Sequence, residues 1–546
     1  MTRGPVTLAV LAAALVLVLV PTAAAAGPPI DIEPPGSVPP LLAMRGTAAS
    51  PDAIVTAALK KGGIDAATRT ADIKLLRRAR SLSRRLKGAA GTELAAVAAS
   101  AVRIARTTGY TPERAREVFL ELSVNVSVLP KGLPAVHARK RIDSLTFERY
   151  PGQGLRIQPL ASWWFARDTA RHGDVRVTKR LLDKALGLSV TRAGALKTEY
   201  LFPFGSGAPP WSSPMAHSLA MDALARGFAL TGDERYRTAA LAFAKGVASA
   251  DVAPGSQVWF PIYPFDPGLR VLNADLQVII GLKQVSKLDG ADRYGTLAKQ
   301  AAATAEDRMP RYDTGAWSRY SEQREAPLEY HDLQTQQLDD LGKALTDPVL
   351  GEYGQTFADY RTEAPAFDVI PGGAKRVYPV PADGFRDTFA VTFTVTKLSS
   401  VVATWRRNGK KVLDQKLGTL AGGRHSLRWS PGRARAGFYT IGFTAKDVAG
   451  NRGSVTDPRA YEIARDRTPP TIVSVRYSGG RLRWKLKDSE TPWVDVVVKV
   501  GKKSKTLHKR RLATSVKLTK APSLVTFRDS SGNKVRWRRI VATAGH

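Results

Sequence analysis

The hydrophobic positions of the chain follow two different periods, and the change between them falls near Pro371. Before that point apolar residues recur at helical spacing, as in "IKLLRRARSLSRRLKG" and "ERAREVFLEL", with a helix start at Thr111-Pro112. After it, "FAVTFTVTK" and "GFYTIGFTAKD" alternate apolar and polar residues between Gly, Asp and Pro turns, which is typical of strands. The pattern therefore predicts a helical part followed by β-structure.

A turn followed by an apolar helix is repeated four times in the helical part. The turns contain Gly173, Gly232, Gly290 and Asp347, at intervals of 59, 58 and 57 residues. Each interval has room for two helices and their turns, so the unit is an α-hairpin. We expect residues 136–365 to be entirely α-helical, as hairpins that close into an α/α toroid or stack as a solenoid. The stretch Tyr312–Leu341 is expected to be part of this helical repeat.

Two copies of a D-x-x-G-N motif mark the β-rich part. They begin at Asp447 and Asp529, 82 residues apart, which is about the length of one β-sandwich domain. The segment "PADGFRDTFAVTFTV" with its closing "DVAGN" resembles bacterial immunoglobulin-like modules of exported proteins, and this resemblance implies adhesion or spacing. We expect two β-sandwiches joined by a hinge at Asp466.

The amino terminus predicts export. "MTRGPVTLAVLAAALVLVLVPTAAAAGPP" combines a basic start, a short apolar run and a small-residue cleavage region, and no second apolar stretch is long enough to span a bilayer. We therefore expect a protein that is secreted or associated with the cell envelope. The predicted segments are a signal peptide (1–26), a proline-rich linker (27–51), an N-terminal helical region (52–135), the toroid (136–368), an immunoglobulin-like sandwich (369–465) and a basic sandwich (466–546).

The net charge of the chain indicates which class of molecule it binds. The chain has 82 Lys and Arg against 48 Asp and Glu, a net charge of +34, and residues 466–546 contribute 20 basic and 5 acidic residues to it. Such a field attracts polyanions. For an exported protein the expected partner is an acidic polysaccharide or another cell-surface polyanion rather than nucleic acid. The absence of cysteine excludes thiolate catalysis and cysteine metal sites.

Several motifs resemble one enzyme family. "PPWSSPMA", "VWFPIYP", "VLN…IIGL", "YDTG" and "Y…YH…QL" follow one another between Glu199 and Tyr360. Their order and spacing are similar to those of the carboxy-terminal catalytic domain of the D-glucuronyl C5-epimerases. The resemblance implies an isomerase that inverts C5 of uronic acid units in a glycosaminoglycan or similar polysaccharide by removing and returning a proton. No cofactor is expected. No metal site is expected either, because His331 and Asp332 are adjacent and the sequence has no helical His-x-x-x-His pair.

The same resemblance implies a set of site residues. Tyr263 and Tyr330 stand where the family has catalytic tyrosines. The positions expected to contact substrate are Tyr320, Asn273, Trp211, His331 and Trp259. The family's arginine shortly after Tyr320 is Gln323 here, and Arg319 or Arg324 is expected to take its place. Each also has a structural interpretation: Trp211 and the tyrosines can be packing residues, and Asn273 can cap the following helix.

One departure from the family leaves the function open. The family has a glutamate where this chain has Ile262, so a proposed acid/base group is absent. A uronate lyase, or a non-catalytic protein that binds acidic polysaccharide or cell wall, are therefore alternatives to the epimerase. A carboxylate such as Glu199, Glu325 or Glu329 beside Tyr263 and Tyr330 would favour the enzyme, whereas an apolar pocket would favour binding. For Asp383 and Asp387 a turn role is favoured over calcium binding.

Overall fold

The computed structural model describes residues 49–248 and 257–538. The predicted signal peptide and nearly all of the proline-rich linker lie outside these residues. The chain divides into two compact units, Met1–Tyr312 with Arg319–Thr356 and Asp313–Ser318 with Phe357–His546. Among the described residues, no helix combines the length and apolar character that a membrane span requires.

Four helices and a short 3-10 turn open the described chain. Three of the helices have side-chain N-caps: Ser50, Asp65 and Thr111 each accept a hydrogen bond from a backbone N–H of the first helical turn. The helix start predicted at Thr111-Pro112 is therefore present. All four helices contribute to one cluster of buried aliphatic side chains. The elements are α1 (Pro51–Lys61), α2 (Ala66–Arg85), α3 (Gly88–Thr107), α4 (Pro112–Val128) and the 3-10 turn Leu129–Lys131.

Four α-hairpins follow, with their turns at the predicted positions. Gly173, Gly232, Gly290 and Asp347 each lie between two consecutive helices. Gly232 ends its helix in the left-handed conformation, with φ +70°, which glycine adopts without strain. The helices are α5 (Pro159–Arg171), α6 (Val175–Leu186), α7 (Pro214–Thr231), α8 (Glu234–Ala248), α9 (Leu272–Ser286), α10 (Arg293–Tyr312), α11 (Leu328–Leu345) and α12 (Pro348–Tyr360).

The first helices of the hairpins form a row in which α5 contacts α7, α7 contacts α9, and α9 contacts α11. Helices α7 and α9 are buried over most of their surface. They approach closely at Gly281, where a Cβ atom would lie 2.8 Å from the carbonyl oxygen of Ser218. The loops that precede the helices of this row carry most of the residues expected in the site.

The prediction that residues 136–365 are entirely helical is wrong in three places. A three-stranded antiparallel sheet precedes α5, and two small hairpins precede α7 and α11. The stretch Tyr312–Leu341 is helical only at Tyr312 and from Leu328 onward. The strands are β1 (Arg139–Ile142), β2 (Leu145–Tyr150), β3 (Gly154–Ile157), β4 (Val190–Arg192), β5 (Ala195–Lys197), β6 (Arg319–Ser321) and β7 (Arg324–Glu325).

The carboxy-terminal part is β-rich, as predicted, and contains two modules. The first has the sheet orders β13–β10–β8 and β12–β11–β14–β16–β9, with β15 on β14, and its two sheets share one core. Its strands are β8 (Phe367–Ile370), β9 (Arg376–Val377), β10 (Phe389–Val395), β11 (Ser399–Arg407), β12 (Lys410–Leu420), β13 (Gly423–Trp429), β14 (Gly437–Asp447), β15 (Arg452–Thr456) and β16 (Tyr461–Ile463).

The second module repeats this arrangement with the orders β21–β18–β17 and β20–β19–β22–β23 around its own core. Strand by strand, β17 to β23 correspond to β8, β10, β11, β12, β13, β14 and β15. The immunoglobulin-like assignment of the modules stays a prediction. The strands are β17 (Thr471–Ser478), β18 (Arg481–Lys487), β19 (Val494–Val500), β20 (Lys503–Arg510), β21 (Ala513–Lys517), β22 (Leu524–Asp529) and β23 (Lys534–Arg538).

The D-x-x-G-N motif is the turn that ends β14 and, in the second module, β22. In the first module Asp447 Oδ1 accepts the backbone N–H of Asn451 at 2.8 Å, and Asp447 Oδ2 accepts from Asn451 Nδ2 at 2.9 Å. The same Nδ2 group donates to the carbonyl of Arg361 at 3.0 Å. The motif therefore joins the segment that enters the module, at Arg361, to the end of β14.

Asn451→Ala is expected to lower the free energy of unfolding by about 1 kcal/mol, because it leaves the Arg361 carbonyl and one Asp447 oxygen without this donor. Urea unfolding of the full chain measures the change. Ser454→Ala, at an exposed position of β15, is the control and is expected to change stability by less than about 0.5 kcal/mol. Equal effects of the two substitutions would contradict this role of the motif.

Candidate active site

Three predicted site tyrosines lie together. Tyr320, on β6, and Tyr330, in the first turn of α11, have ring centroids 4.8 Å apart in an edge-to-face arrangement. Tyr263 precedes α9, and burial raises the pKa of its phenol well above the usual value. The next contributions to that increase come from Tyr320, Tyr200 and Tyr330, so these phenols are within reach of one another's charge.

Two further tyrosines join this group, and sequence reasoning missed both. Gln158 connects them: its Nε2 donates to the Tyr150 hydroxyl at 3.0 Å, and its Oε1 accepts from the Tyr200 hydroxyl at 3.2 Å. Together with Tyr263 they line a cavity of about 10 Å³. That volume is enough for about one water molecule.

A buried carboxylate accompanies the tyrosines. Glu148 and Tyr150 are two positions apart on β2 and therefore project to the same face. Glu148 is 1 % exposed and accepts from Arg139 Nε at 2.8 Å, with His137 Nδ1 at 3.2 Å. Its charge adds to the effect of burial in raising the pKa of Tyr150, Tyr200 and Tyr263. Glu148 is therefore a buried carboxylate whose charge acts on these tyrosines.

The carboxylates considered from sequence have other surroundings. Glu199 is buried in a pair with Arg114, at 2.9 Å, and also contacts Arg192 at 2.6 Å. Glu325 lies opposite Arg319 in the register of the β6–β7 hairpin, and Glu329 is exposed at the start of α11.

Ile262 forms part of the cavity wall beside Tyr263, and its carbonyl accepts from Ser213 Oγ at 2.8 Å. The position of the family's glutamate is thus an apolar part of the wall.

The ring of Trp211 packs against neighbouring aromatic side chains. Its ring stacks on Tyr200 with centroids 3.9 Å apart and planes 2° apart, and its Nε1 donates to the Phe202 carbonyl at 2.8 Å. It also meets the ring of Tyr263 edge to face at 5.8 Å. Trp211 and Tyr263 are each 9 % exposed, so this aromatic wall reaches the surface at its edge.

The predicted arginines and histidine lie around Tyr320 and Tyr330. Arg324 is exposed, and its guanidinium is 4.9 Å from the centroid of the Tyr320 ring. Arg319 donates from Nη1 to the Glu322 carbonyl at 3.3 Å. His331 follows Tyr330 in α11 and is fully buried.

Asn273 lies inside the first turn of α9, since the N-cap position is Val271; the helix-cap interpretation of Asn273 is therefore wrong. The pairing of Val271 with Ser321 places the start of α9 beside β6. Asn273 is 1 % exposed, and its Oδ1 has no hydrogen-bond partner among the described residues. This oxygen is available to accept a hydrogen bond from a ligand.

Trp259 belongs to a different cluster. Its ring stacks parallel to that of Tyr312 at 5.9 Å, and the guanidinium groups of Arg308 and Arg270 lie 5.4 and 5.9 Å from its centroid. The structure thus brings Tyr263, Tyr320 and Tyr330 together and places Trp259 with another set of partners.

Comparisons with known proteins agree with the motif resemblance over part of the chain. Residues 194–359 match the family model of the D-glucuronyl C5-epimerase C-terminus. This segment of the chain includes Tyr200, Tyr263, Tyr320 and Tyr330. The match covers less than a third of the chain, and Glu148 and Tyr150 precede it. A comparison with curated proteins gives no significant match.

Solved structures give weak likenesses. Cellobiose 2-epimerase from Bacillus thermoamylovorans B4167 is 10 % identical over 50 % of this chain and 74 % of its own, with a TM-score of 0.32. The FN1–FN3 domains of chicken CNTN1 are 13 % identical over 32 % of this chain and 67 % of their own, with a TM-score of 0.16. TM-scores this low carry no argument about fold or function.

Proposed function

We propose that the protein is a uronate C5-epimerase that acts on an acidic polysaccharide through an α/α toroid. The observation that carries this proposal is the group of buried tyrosines around Tyr263 and Tyr330. Most of these tyrosines lie inside the segment that matches the C5-epimerase family, and the charge of Glu148, which precedes that segment, acts on Tyr263. No cofactor is required for the chemistry, because tyrosine and carboxylate groups can exchange protons directly with the substrate.

The reaction needs an acid and a base on opposite faces of one sugar ring. The hydrogen on C5 is alpha to a carboxylate and is only weakly acidic while that carboxylate is charged. A donor or cation at the carboxylate must therefore stabilise the enolate that forms when the base takes the proton. Return of a proton to the opposite face of C5 completes the inversion.

We assign the base side to Tyr330 and the acid side to Tyr263. Arg324 lies over Tyr320, which contacts Tyr330, and a cation there favours the negative charge of a phenol that has lost its proton. Tyr263 is instead buried among other phenols, and its raised pKa keeps it protonated at neutral pH. In one turnover the Tyr330 phenolate takes the C5 proton and the Tyr263 phenol donates one, and both are restored by exchange with water.

Glu148 supplies the carboxylate that Ile262 cannot. It lies on the same strand face as Tyr150, and its charge acts on Tyr150, Tyr200 and Tyr263. A negative charge there disfavours a second negative charge on Tyr263 and so maintains it as a proton donor. The cavity beside Tyr263 has room for about one water, so it does not by itself hold a uronate ring.

The test is incubation with defined uronans in deuterated water, followed by mass and NMR analysis of C5. Incorporation of deuterium at C5 with inversion supports the epimerase. Deuterium without inversion shows carbanion formation with return to the same face, and loss of the 4-oxygen to give an unsaturated uronate shows a lyase.

A second candidate function is binding of acidic polysaccharide without catalysis. The apolar Ile262 in the wall and the small cavity favour it, and the basic carboxy-terminal module supplies 20 Lys and Arg for polyanion contact. In this case C5 would not exchange with any uronan tested, while the full chain would be retained on an acidic polymer at low salt and released at high salt.

Arg324→Gln is expected to reduce the rate of C5 exchange about 3- to 10-fold and to move the acid limb of the rate–pH profile to higher pH. The reason is loss of a cation that favours the phenolate on the base side. Lys343→Gln removes an exposed cation from the same unit and is the control. An unchanged pH profile in Arg324→Gln would contradict the assignment of the base side.

We also propose that the protein is exported, on the evidence of its amino-terminal sequence. Cell fractionation of the native producer and sequencing of the mature amino terminus would test this. Retention of the intact amino terminus in the cytoplasmic fraction would refute export without affecting the proposed chemistry.

A further inference from the structure

The three-stranded sheets of the two β modules differ in charge along their middle strand. In the second module this sheet has the order β17–β18–β21. Leu482, Trp484 and Leu486 of β18 are buried in the core of the module. The residues that alternate with them project from the opposite face and are exposed; they are Arg481, Arg483, Lys485 and Lys487. Every outward position of this strand is therefore a cation.

The corresponding strand of the first module is uncharged on this face. Its sheet has the order β8–β10–β13, with β10 in the middle. The outward residues of β10 are Ala390, Thr392 and Thr394, and the residues that alternate with them are buried. The two modules share this strand order but not the row of cations. The fold of a module therefore does not require charged residues on its middle strand.

The neighbouring strands add two more cations directly beside this row. Arg476 of β17 lies opposite Arg483, and Lys517 of β21 lies opposite Arg481. Like charges opposite each other on adjacent strands destabilise a sheet. We call the exposed residues of this group the cationic face; they are Arg476, Arg481, Arg483, Lys485, Lys487 and Lys517.

The sheet supplies neutral partners for these cations and no acidic ones. Arg481 Nη2 donates to Ser515 Oγ, and Arg483 Nη1 donates to Ser478 Oγ, both at 3.3 Å. These hydroxyls hold two guanidinium groups across the neighbouring strands without neutralising their charge. The register of the three strands contains no Asp or Glu on this face, whose remaining outward positions are Thr471, Ser474, Ser478, Ala513 and Ser515.

Two ordinary roles of surface charge do not account for the cationic face. Protection of a sheet edge against pairing with another chain is excluded for β18, because β18 is the middle strand and is paired on both sides. Solubility benefits from charge, but it does not require cations to face one another across adjacent strands. A bound polyanion would replace this repulsion by attraction.

We propose that the cationic face binds a linear acidic polysaccharide along β18. Cations at every second residue of a strand are about 7 Å apart, so the four of β18 form a row of about 20 Å. A row of this length suits a polymer with repeated carboxylates better than a small anion. The outward positions carry no aromatic residue, and Trp484 is buried, so the face lacks the stacking surface with which proteins hold single-stranded nucleic acid. That the polysaccharide is a uronan rests on the proposed function.

The experiment is a fluorescence-anisotropy titration of labelled polyglucuronate with the full chain, with labelled dextran as the neutral polymer. The triple variant Arg481→Thr, Arg483→Thr and Lys485→Thr gives β18 the uncharged character of β10 and keeps a residue type that favours strands. It is expected to raise the dissociation constant about 10-fold at about 0.15 M salt, and to make binding less dependent on salt. Its unfolding midpoint without polymer should equal or exceed that of the wild type, because the variant removes both like-charge pairs.

The control variant removes the same charge from another surface of the same module. Lys503, Lys505 and Arg510 are exposed on β20, an edge strand of the other sheet. Replacing all three by Thr is expected to change the dissociation constant less than about 2-fold. If the β18 variant does not fold, Arg483→Gln and Lys485→Gln serve as single substitutions, each expected to weaken binding about 2- to 3-fold.

Three results would overturn the proposal. Equal weakening by the β18 and β20 variants would show that net charge alone governs binding. A lower unfolding midpoint of the β18 variant would give its cations a structural role. Tighter binding of a single-stranded DNA of the same charge, lost in the β18 variant, would assign the face to nucleic acid.

C5 exchange on a short uronate oligosaccharide separates this proposal from the proposed function. The β18 variant should exchange C5 at the wild-type rate, because none of its three substituted residues belongs to the candidate active site. Absence of exchange in the wild type, with polymer binding weakened only in the β18 variant, would refute the epimerase and support the cationic face as a polysaccharide-binding site.

Discussion

Tyr330→Phe is expected to reduce C5 deuterium exchange about 100- to 10,000-fold while changing the free energy of unfolding by about 1 kcal/mol or less. General acid–base catalysis by a positioned side chain contributes about 10² to 10⁴ in rate, and phenylalanine keeps the ring but removes the only group that can carry the proton. The ring contact with Tyr320, at 4.8 Å, does not depend on the hydroxyl. Tyr263→Phe should have an effect of similar size on the acid side.

Tyr236→Phe is the matched control. Tyr236 is a buried tyrosine of α8 whose hydroxyl donates to Asp183 at 2.9 Å, and it does not line the cavity beside Tyr263. Its substitution should cost about 1 kcal/mol of stability and leave exchange unchanged. If Tyr330→Phe behaves like Tyr236→Phe, with stability reduced and exchange intact, Tyr330 is a packing residue and the proposed base is wrong.

The hairpin repeat could be predicted from sequence because its signals are local. A turn residue such as Gly232, which ends its helix with φ +70°, depends on neighbours within a few positions, and the interval between turns follows from helix length. The sheet at residues 139–157 could not be predicted in the same way. Its middle strand β2, LTFERY, is buried at all six positions, although three of its residues are Thr, Glu and Arg, so the polar residues in the sequence do not indicate a buried strand.

The failure to predict this sheet also explains why sequence reasoning missed Glu148 and Tyr150. Glu148 and Tyr150 share a face only if residues 145–150 form a strand, and in a helix they would point in different directions. Tyr200 is linked to Tyr150 by hydrogen bonds through Gln158, and the Gln158–Tyr200 contact joins positions 42 apart in the chain. Tyr263, Tyr320 and Tyr330 were found because a family motif identifies them without knowledge of how the chain folds around them.

In the carboxy-terminal modules, too, the local turn could be predicted from sequence and the arrangement of the strands could not. The D-x-x-G-N motif is visible in the sequence and predicts a turn, and the structure has a turn there in both modules. That the two motifs end corresponding strands, β14 and β22, depends on strand order, which the residues alone do not give.

A buried acid in α9, the helix that follows Tyr263, is expected to make the stability of the helical unit depend on pH. Asp275, in α9, is fully buried; its Oδ1 accepts the N–H of Phe260 at 2.8 Å, and its Oδ2 has no partner among the described residues. Burial raises its pKa to about 8, although Arg308 and Arg270 act in the opposite direction. Near pH 7 the carboxyl is therefore largely protonated, and it holds the segment that leads to Tyr263.

The stability of the helical unit should then depend on pH in part through this group. Because the folded pKa lies above the unfolded value of 3.8, the folded state binds the proton more tightly between about pH 4 and pH 8. The contribution of Asp275 to the free energy of unfolding falls as pH rises through that window, by up to about 1.4 kcal/mol per pH unit, and is constant above about pH 8.

Asp275→Asn keeps the acceptor for Phe260 and cannot ionise, so its stability relative to the wild type should increase from pH 5 to about pH 8 and then stop increasing. Urea unfolding of both full-length proteins at pH 5, 7 and 9, followed by the helical circular dichroism signal, measures the difference, in which the titration of all other groups cancels. Asp340→Asn, at an exposed position of α11, should show a difference that does not change with pH. A constant difference for Asp275→Asn as well would mean that Asp275 is charged in the folded protein at neutral pH. Arg308 and Arg270 would then neutralise a carboxylate there, and the segment before Tyr263 would be held by an ion pair instead of a neutral acid.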